Sequence, residues 1–301
     1  MDKYSRNYRL EIEKRDGTLL TVRLPFTIEF DIHRNSFSSA NVASIRVMNL
    51  NLDNRAQIQH FQGDTLDRRR VTLHAGYGQL LGLAFQGFIS HAWSIREGTN
   101  FVTQIESFDG GLAYNNAINN SQYSLGTTRQ SMVENIAGSM NIPAAGNVTL
   151  GAIGSFPGSL LRGNSFNGPT LSVLSDMIGG PSGVFIDNNK INILNDRECV
   201  AGDALVINSR SGLLGTPLIE DGYIMINMLF EPSLIVGQLV NLQTLTGPRT
   251  AITQNGRINV NGIHKVLGFQ HQATISAAVC GDATTMVKLL PGNFTEVQSR
   301  S

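Results

Sequence analysis

The chain has 301 residues, of which 41% are apolar and 15% are charged, and its 23 basic and 23 acidic side chains cancel. This length accommodates two or three domains, and the balance of charge excludes a strongly basic protein that attracts nucleic acid or anionic membrane. Two cysteines are too few for a disulfide framework, and no run of about 18 apolar residues predicts a membrane span. The N-terminus lacks the apolar segment of a signal peptide, so we expect synthesis in the cytoplasm.

The polar residues are mostly Asn, Gln, Ser, Thr and Gly rather than charged ones. This composition favours a surface that neighbouring subunits cover, because unpaired charge is costly to remove from water. An ordinary secreted β protein with a neutral surface is the alternative.

Residues 1 to 112 predict a β domain. Apolar and polar residues alternate there, which is the period of strands with one covered face. Asp16-Gly17 predicts the turn of the first hairpin. Asn51 or Asp53 can cap a short helix, and Asp109-Gly110-Gly111 ends the region.

Residues 113 to 198 predict a small α+β module. Thr127 or Thr128 can cap a helix with one apolar face, and a second helix follows Pro169. Asp187-Asn188-Asn189-Lys190 predicts the turn of a hairpin between two short strands. The glycine-rich stretch around residues 146 to 168 resists assignment.

Residues 199 to 290 return to a β pattern, and the polar residues 291 to 301 predict a flexible C-terminal tail. The sequence predicts a loop that contains the apolar residues Leu213, Leu214 and Pro217, whose side chains are not expected to face water. We therefore predict that these three residues contact a partner.

No catalytic or metal-binding set stands out. Glu220-Asp221 is the acidic pair best suited to glycoside hydrolysis, but adjacent strand residues point to opposite faces and Asp221-Gly222 predicts a turn. The histidines have no metal-ligand spacing. His264 and His271 fall on opposite faces of a strand unless Gly268 bends it, so surface or interface histidines are the favoured interpretation. We predict no catalytic residue, no cofactor and no metal.

Three ordered sets of segments carry a family resemblance. The first set is Ile45-Arg46-Val47-Met48-Asn49-Leu50 with Leu52-Asp53-Asn54-Arg55. The second set is Val71-Thr72-Leu73-His74-Ala75-Gly76-Tyr77, Phe85-Gln86-Gly87-Phe88-Ile89 and Ile105-Glu106-Ser107-Phe108-Asp109. The third set runs from Ser211-Gly212-Leu213-Leu214-Gly215-Thr216-Pro217 through Val236-Gly237-Gln238-Leu239-Val240 to Gly268-Phe269-Gln270-His271 and Val279-Cys280. Together, from about Tyr8 to Cys280, they resemble the baseplate hub proteins of contractile-tailed bacteriophages, which are related to the hub part of type VI secretion spike proteins.

The resemblance implies a mainly β fold with two tail-tube-like β-barrel domains, residues 1–112 and 199–290, and a small mixed domain between them, residues 113–198. It implies a non-enzymatic structural subunit that forms a homotrimer, so that three chains offer six tube-like units to the tail tube and three-fold symmetry to the spike. The implied partners are the tail tube protein, the spike protein and other baseplate proteins. DNA only passes through the lumen, and no membrane is bound directly. The implied location is the virion tail baseplate, after synthesis in the host bacterial cytoplasm.

Two other functions stay open from the sequence. One is a different tail adaptor or tube-initiating protein, for which a single tube-like domain would suffice. The other is a tail-associated cell-wall hydrolase, for which the expected helix-rich lysozyme domain or zinc ligands are missing. Tyr77 and Phe88 are predicted to be core aromatics rather than contact residues.

Overall fold

The structure is a computed structural model that describes residues 5–60, 69–141, 148–180, 183–245, 249–250, 260–277 and 281–300. The first β region, up to Phe108, contains the strands β1 Arg6–Glu13, β2 Leu19–Val22, β3 Ile28–Asn35, β4 Val42–Met48, β5 Arg70–Tyr77, β6 Leu80–Glu97 and β7 Asn100–Phe108, with the helix α1 Leu52–Ile58. The predicted β character of this region is confirmed.

The middle module is the α+β part of the chain that follows. Its elements are α2 Gly111–Asn116, β8 Ile118–Tyr123, α3 Arg129–Gly138, β9 Thr149–Ile153, β10 Asn164–Pro169, α4 Thr170–Ile178, β11 Val184–Asp187 and β12 Lys190–Ile193. The second β region contains β13 Glu198–Val200, β14 Leu205–Ile207, β15 Leu213–Glu220, β16 Tyr223–Leu229, β17 Leu239–Leu242, β18 Arg249–Thr250, β19 Gly262–Ile275, β20 Ala283–Pro291 and β21 Thr295–Val297.

Local signals in the sequence place several of these elements correctly. The Asn51 side chain accepts a hydrogen bond from the Asn54 amide and so caps α1, and Thr128 caps α3 in the same way. Helix α4 ends at Gly179, whose φ of 90° requires the left-handed conformation that glycine adopts freely. None of the helices in the described part of the chain is long and apolar enough to cross a membrane.

The two β regions share one sheet of 14 strands. Its main path runs β18-β15-β16-β20-β19-β3-β4-β7-β6-β5-β1-β2. The join is an antiparallel pairing of β19 with β3, from Gly268 opposite Asn35 to Ile275 opposite Ile28. The mainly β fold is confirmed. Within the described residues the sheet does not close into a barrel, and the two tube-like barrel domains stay a prediction. Strand β19 joins the two β regions because it is long: its first residues pair with β17 and its last residues pair with β3.

Apolar side chains form three clusters, one for each part of the chain. The first cluster includes Tyr77 from its own region, which is buried as predicted, but also Phe230, Ala273 and Ile275 from the second β region. Phe88 is buried as well. The core of the first region is therefore completed by residues far along the chain. The domain boundaries after residues 112, 198 and 290 stay predictions.

The segment after Pro291 crosses from the second β region to the middle module. Strand β21 pairs in parallel with β13, and Ser299 forms a β-bridge with Ala152. The Arg300 guanidinium lies 2.7 Å from the Glu134 carboxylate of α3. The sequence led us to expect a flexible tail here; the polar residues instead find partners in segments that are remote in sequence.

Candidate functional site

One face of the shared sheet is polar along most of its width, and we call it the polar face. It is formed by the strand positions that alternate with buried residues such as Phe30 and Ile45. The strand registers align Thr284, Gln272, Asp31, Ser44, Glu106 and His91 in one row across β20, β19, β3, β4, β7 and β6. Since successive strand residues point to opposite sides, the row lies opposite the apolar core. Further members of the polar face are Glu29, His33, Arg46, Trp93, Glu97, Gln104, Asn227, Gln270 and Met286. The exposed apolar residues Val42 and Ile95 lie on the same face.

The carboxylate of Asp31 is satisfied by neighbours on the polar face. The Gln270 side-chain amide donates to both of its oxygens, at 2.8 and 3.0 Å, and the Gln272 amide donates at 2.9 Å. His33 Nε2 lies 3.1 Å from the same carboxylate. Asp31 is therefore held by two residues of β19, on the other side of the join, and by His33 of its own strand.

The other charges of the polar face are also paired within it. Glu106 accepts hydrogen bonds from Ser44 Oγ at 3.0 Å and from Gln104 Nε2 at 2.7 Å. The Arg46 guanidinium contacts Glu29 at 2.6 Å and Glu97 at 2.5 Å. Such half-exposed pairs add little stability. The named carboxylates outnumber the Arg46 guanidinium four to one, so the polar face carries a net negative charge and does not attract a polyanion.

A groove of about 470 Å³ lies at the β15 end of the polar face and is lined by one of the predicted contact residues, Leu214. Leu214 lines it together with Asn227 and Met286, and Leu214 is 40% exposed. Leu213 is half-buried and packs on the third apolar cluster, while Pro217 is buried. These residues lie in β15 and not in a loop, because the bulge between Leu214 and Leu218 keeps the irregular segment within the strand. A contact role for the three stays a prediction, and only Leu214 has a largely accessible side chain.

Three of the six histidines do not lie at the surface as predicted, whereas His33 is exposed and His74 and His91 are half-buried. His60, His264 and His271 are buried rather than at the surface. A register shift between Val266 and Gly268 changes the facing of β19, which brings both of its histidines to the core side. His271 Nδ1 lies 2.8 Å from Thr285 Oγ1, and burial holds the pKa of His271 well below its usual value.

The acidic pair Glu220-Asp221 forms the end of β15 and the turn that follows, as predicted. Asp221 has a φ of 49° and Gly222 a φ of 82°, and the side chains of both acidic residues are exposed. Among the described residues, no group of three or more His, Cys, Asp or Glu side chains could hold a metal ion.

Comparison with known proteins gives one family match and several solved structures with a similar fold. A family model described as Baseplate hub gp41 matches residues 10–251. A search of curated proteins returned no match.

Solved structures with similar folds include two tail proteins. The 43 kDa tail protein of prophage MuSo2 from Shewanella oneidensis superposes with a TM-score of 0.56 at 10% identity, over 95% of this chain and 97% of the other. The tail protein from Neisseria meningitidis MC58 has the same score and identity, over 95% and 96% of the two chains. The E. coli c3393 protein, a type VI secretion component described as structurally similar to T4 bacteriophage tail proteins gp27 and gp5, has a TM-score of 0.55 at 8% identity, over 92% and 77%. At these identities the superpositions show a common fold.

Proposed function

We propose, on the premise that this chain belongs to the baseplate hub gp41 family, that three copies form a ring joining the six-fold tail tube to the three-fold spike. The hub is a structural component of a phage tail baseplate. The trimer, its partners and the absence of enzymatic activity are the parts that we propose. Each copy supplies two β regions, so three copies supply six similar wall segments.

The observation that carries this proposal is the shared sheet with one apolar and one polar face. The apolar face covers the cores of the first and second β regions, and the polar face runs from Leu214 and Asn227 through Asp31 to His91. A surface that lines a channel must stay hydrated and must not retain what passes along it. The polar face meets both requirements for a polyanion such as DNA, because carboxylates outnumber guanidinium groups on it and most of its uncharged members are amides and hydroxyls.

The ends of the sheet support closure of a ring by neighbouring copies. Strand β2 pairs only with β1, and at the other end β18 covers β15 at Leu218 and Ile219 alone, within the described residues. Leu19, beside the first end, and Leu218, at the second, are exposed. Exposed apolar edge strands promote pairing with another chain, and head-to-tail contacts that close give a ring. We therefore place the contacts between copies at these two edges.

The test is the mass of the purified protein in solution by light scattering, alone and mixed with the tube and spike proteins. A mass three times 32.7 kDa, either alone or with the spike protein, is the expected result. A monomer that stays monomeric with every tail partner would contradict the trimeric hub and favour a single-copy adaptor.

A further inference from the structure

A buried polar cluster joins the first β region to the hairpin of the middle module. Asp109 follows β7 directly and is 1% exposed. Its carboxylate accepts the backbone N–H of Asn188 at 2.5 Å and that of Asn189 at 2.9 Å, which form the turn between β11 and β12. It also accepts the amide of Gly110 at 2.7 Å. The carboxylate therefore holds the hairpin turn through main-chain groups, whatever side chains the turn carries.

The left-handed turn makes this contact possible. Asn188 and Asn189 have φ values of 51° and 58°, a conformation that asparagine tolerates and that suits a two-residue hairpin. The turn directs both of its amides at Asp109. Asn41 adds a further link, because its side-chain amide donates to the carbonyl of Ile186 at 2.7 Å.

A second carboxylate shares the cluster's single cation. The Arg34 guanidinium of β3 lies 2.5 Å from Asp187 of β11, and it donates to the Asn188 side-chain oxygen at 3.0 Å and to the Ala84 carbonyl. The cluster thus buries two carboxylates against one guanidinium. Burying an incompletely paired charge is costly, so one of the two carboxylates is the natural site for a proton.

The charged groups around Asp109 identify which carboxylate takes up the proton. Burial, and then the charge of Asp187, raise the pKa of Asp109 to about 6, against the opposing effects of Arg34 and the two turn amides. His271 of β19 faces Arg34 from the other side, but burial holds its pKa well below the usual value, so it supplies no charge. Lys190 of the hairpin has an exposed side chain.

We propose that this cluster is an acid-tightened latch, in which protonation of Asp109 strengthens the docking of the β11–β12 hairpin on the first β region. A carboxyl group that is easier to protonate in the folded protein than in the unfolded chain stabilises the fold fully below its unfolded value of 3.8. That contribution is lost as the pH rises through about 6. The latch is therefore tight at about pH 5 and looser at about pH 8.

The experiment is amide hydrogen exchange of the intact protein at about pH 5 and pH 8, with each rate divided by the intrinsic rate of the peptide at that pH. We expect the protection of the Asn188 and Asn189 amides to be about tenfold greater at pH 5 than at pH 8, because pH 5 lies about one unit below the folded pKa of Asp109 and above its unfolded value. In Asp109→Asn, a neutral side chain of the same shape, the protection of these amides should not change with pH. Asp176→Asn, the same change at an exposed position on α4, is the matched control and should keep the wild-type response.

Two outcomes would overturn the latch. One is equal or lower protection of the turn amides in acid in the wild-type protein, which needs no variant and so does not depend on whether Asp109→Asn folds. The other is an Asp109→Asn protein that keeps the full pH response. Either result leaves the trimeric hub untouched, because the latch lies within one chain.

Discussion

Removing the Arg34 guanidinium should be among the most damaging single changes in the chain. The side chains of Arg34 and Asp187 are 2% and 3% exposed, and replacement by Met keeps a similar length but no charge. Breaking a buried ion pair by deleting one partner costs about 3–5 kcal/mol, because the other charge is left uncompensated. Here Asp109 also loses its nearby cation, and the Ala84 carbonyl loses a donor. We therefore expect the free energy of unfolding of Arg34→Met to fall by about 4 kcal/mol at neutral pH.

The assay is urea unfolding, followed by fluorescence of the single tryptophan Trp93. The double variant Arg34→Met/Asp187→Asn removes the orphaned charge and should recover a large part of the loss, since neutral replacements of a buried pair are tolerated far better than half of it. Acid should also rescue the single variant, because a protonated carboxyl group has no need of the guanidinium. A loss of less than about 1 kcal/mol, the size of a surface pair, or no recovery in the double variant, would refute this account of the cluster.

Three further predictions concern assembly, the channel wall and a helix cap. Leu214→Asp should prevent formation of the trimer while the monomer keeps its circular dichroism spectrum. The control Leu161→Asp, at an exposed position of the middle module, should leave the trimer intact. If the mass of Leu214→Asp in solution is unchanged, Leu214 does not lie in the interface. Gln270→Lys/Gln272→Lys should reduce the net negative charge of the polar face and raise its affinity for DNA, an affinity that falls with salt. If the wild-type protein binds a labelled duplex equally well in fluorescence anisotropy, the idea of a wall that does not retain DNA is contradicted. Asn51→Ala should cost about 1 kcal/mol in thermal or urea unfolding through loss of the α1 cap, and no measurable change would mean that α1 contributes nothing to the cooperative unit.

The features predicted correctly from the sequence are those that a few adjacent residues decide. The cap of α1 by Asn51 and the turn at Asn188-Asn189 follow from side-chain chemistry within four residues. The alternation of apolar and polar residues likewise identified the strands of the first β region. The family resemblance then supplied the class of protein, which the family model confirms over residues 10–251.

The features that were missed depend on contacts between distant segments. The residues around Ile28 and Ile275 do not predict that β3 and β19 pair and so join the two β regions in one sheet. The bulge beside Gly268 changes the facing of His264 and His271 by one residue, and a one-residue shift reverses which side chains are buried. The ion pair of Arg34 with Asp187 could not be predicted from the sequence either, because one residue lies in the first β region and the other in the middle module.

The pairing of β3 with β19 determines the order in which parts of the nascent chain can fold. Synthesis proceeds from the N-terminus, and local contacts form before distant ones. The first core nevertheless needs Phe230, Ala273 and Ile275, so β3 keeps an open edge until β19 has left the ribosome. Chains that are cut short before β19 cannot complete even their N-terminal half and are exposed to proteolysis. The first β region can therefore reach its final packing only in chains that extend through β19.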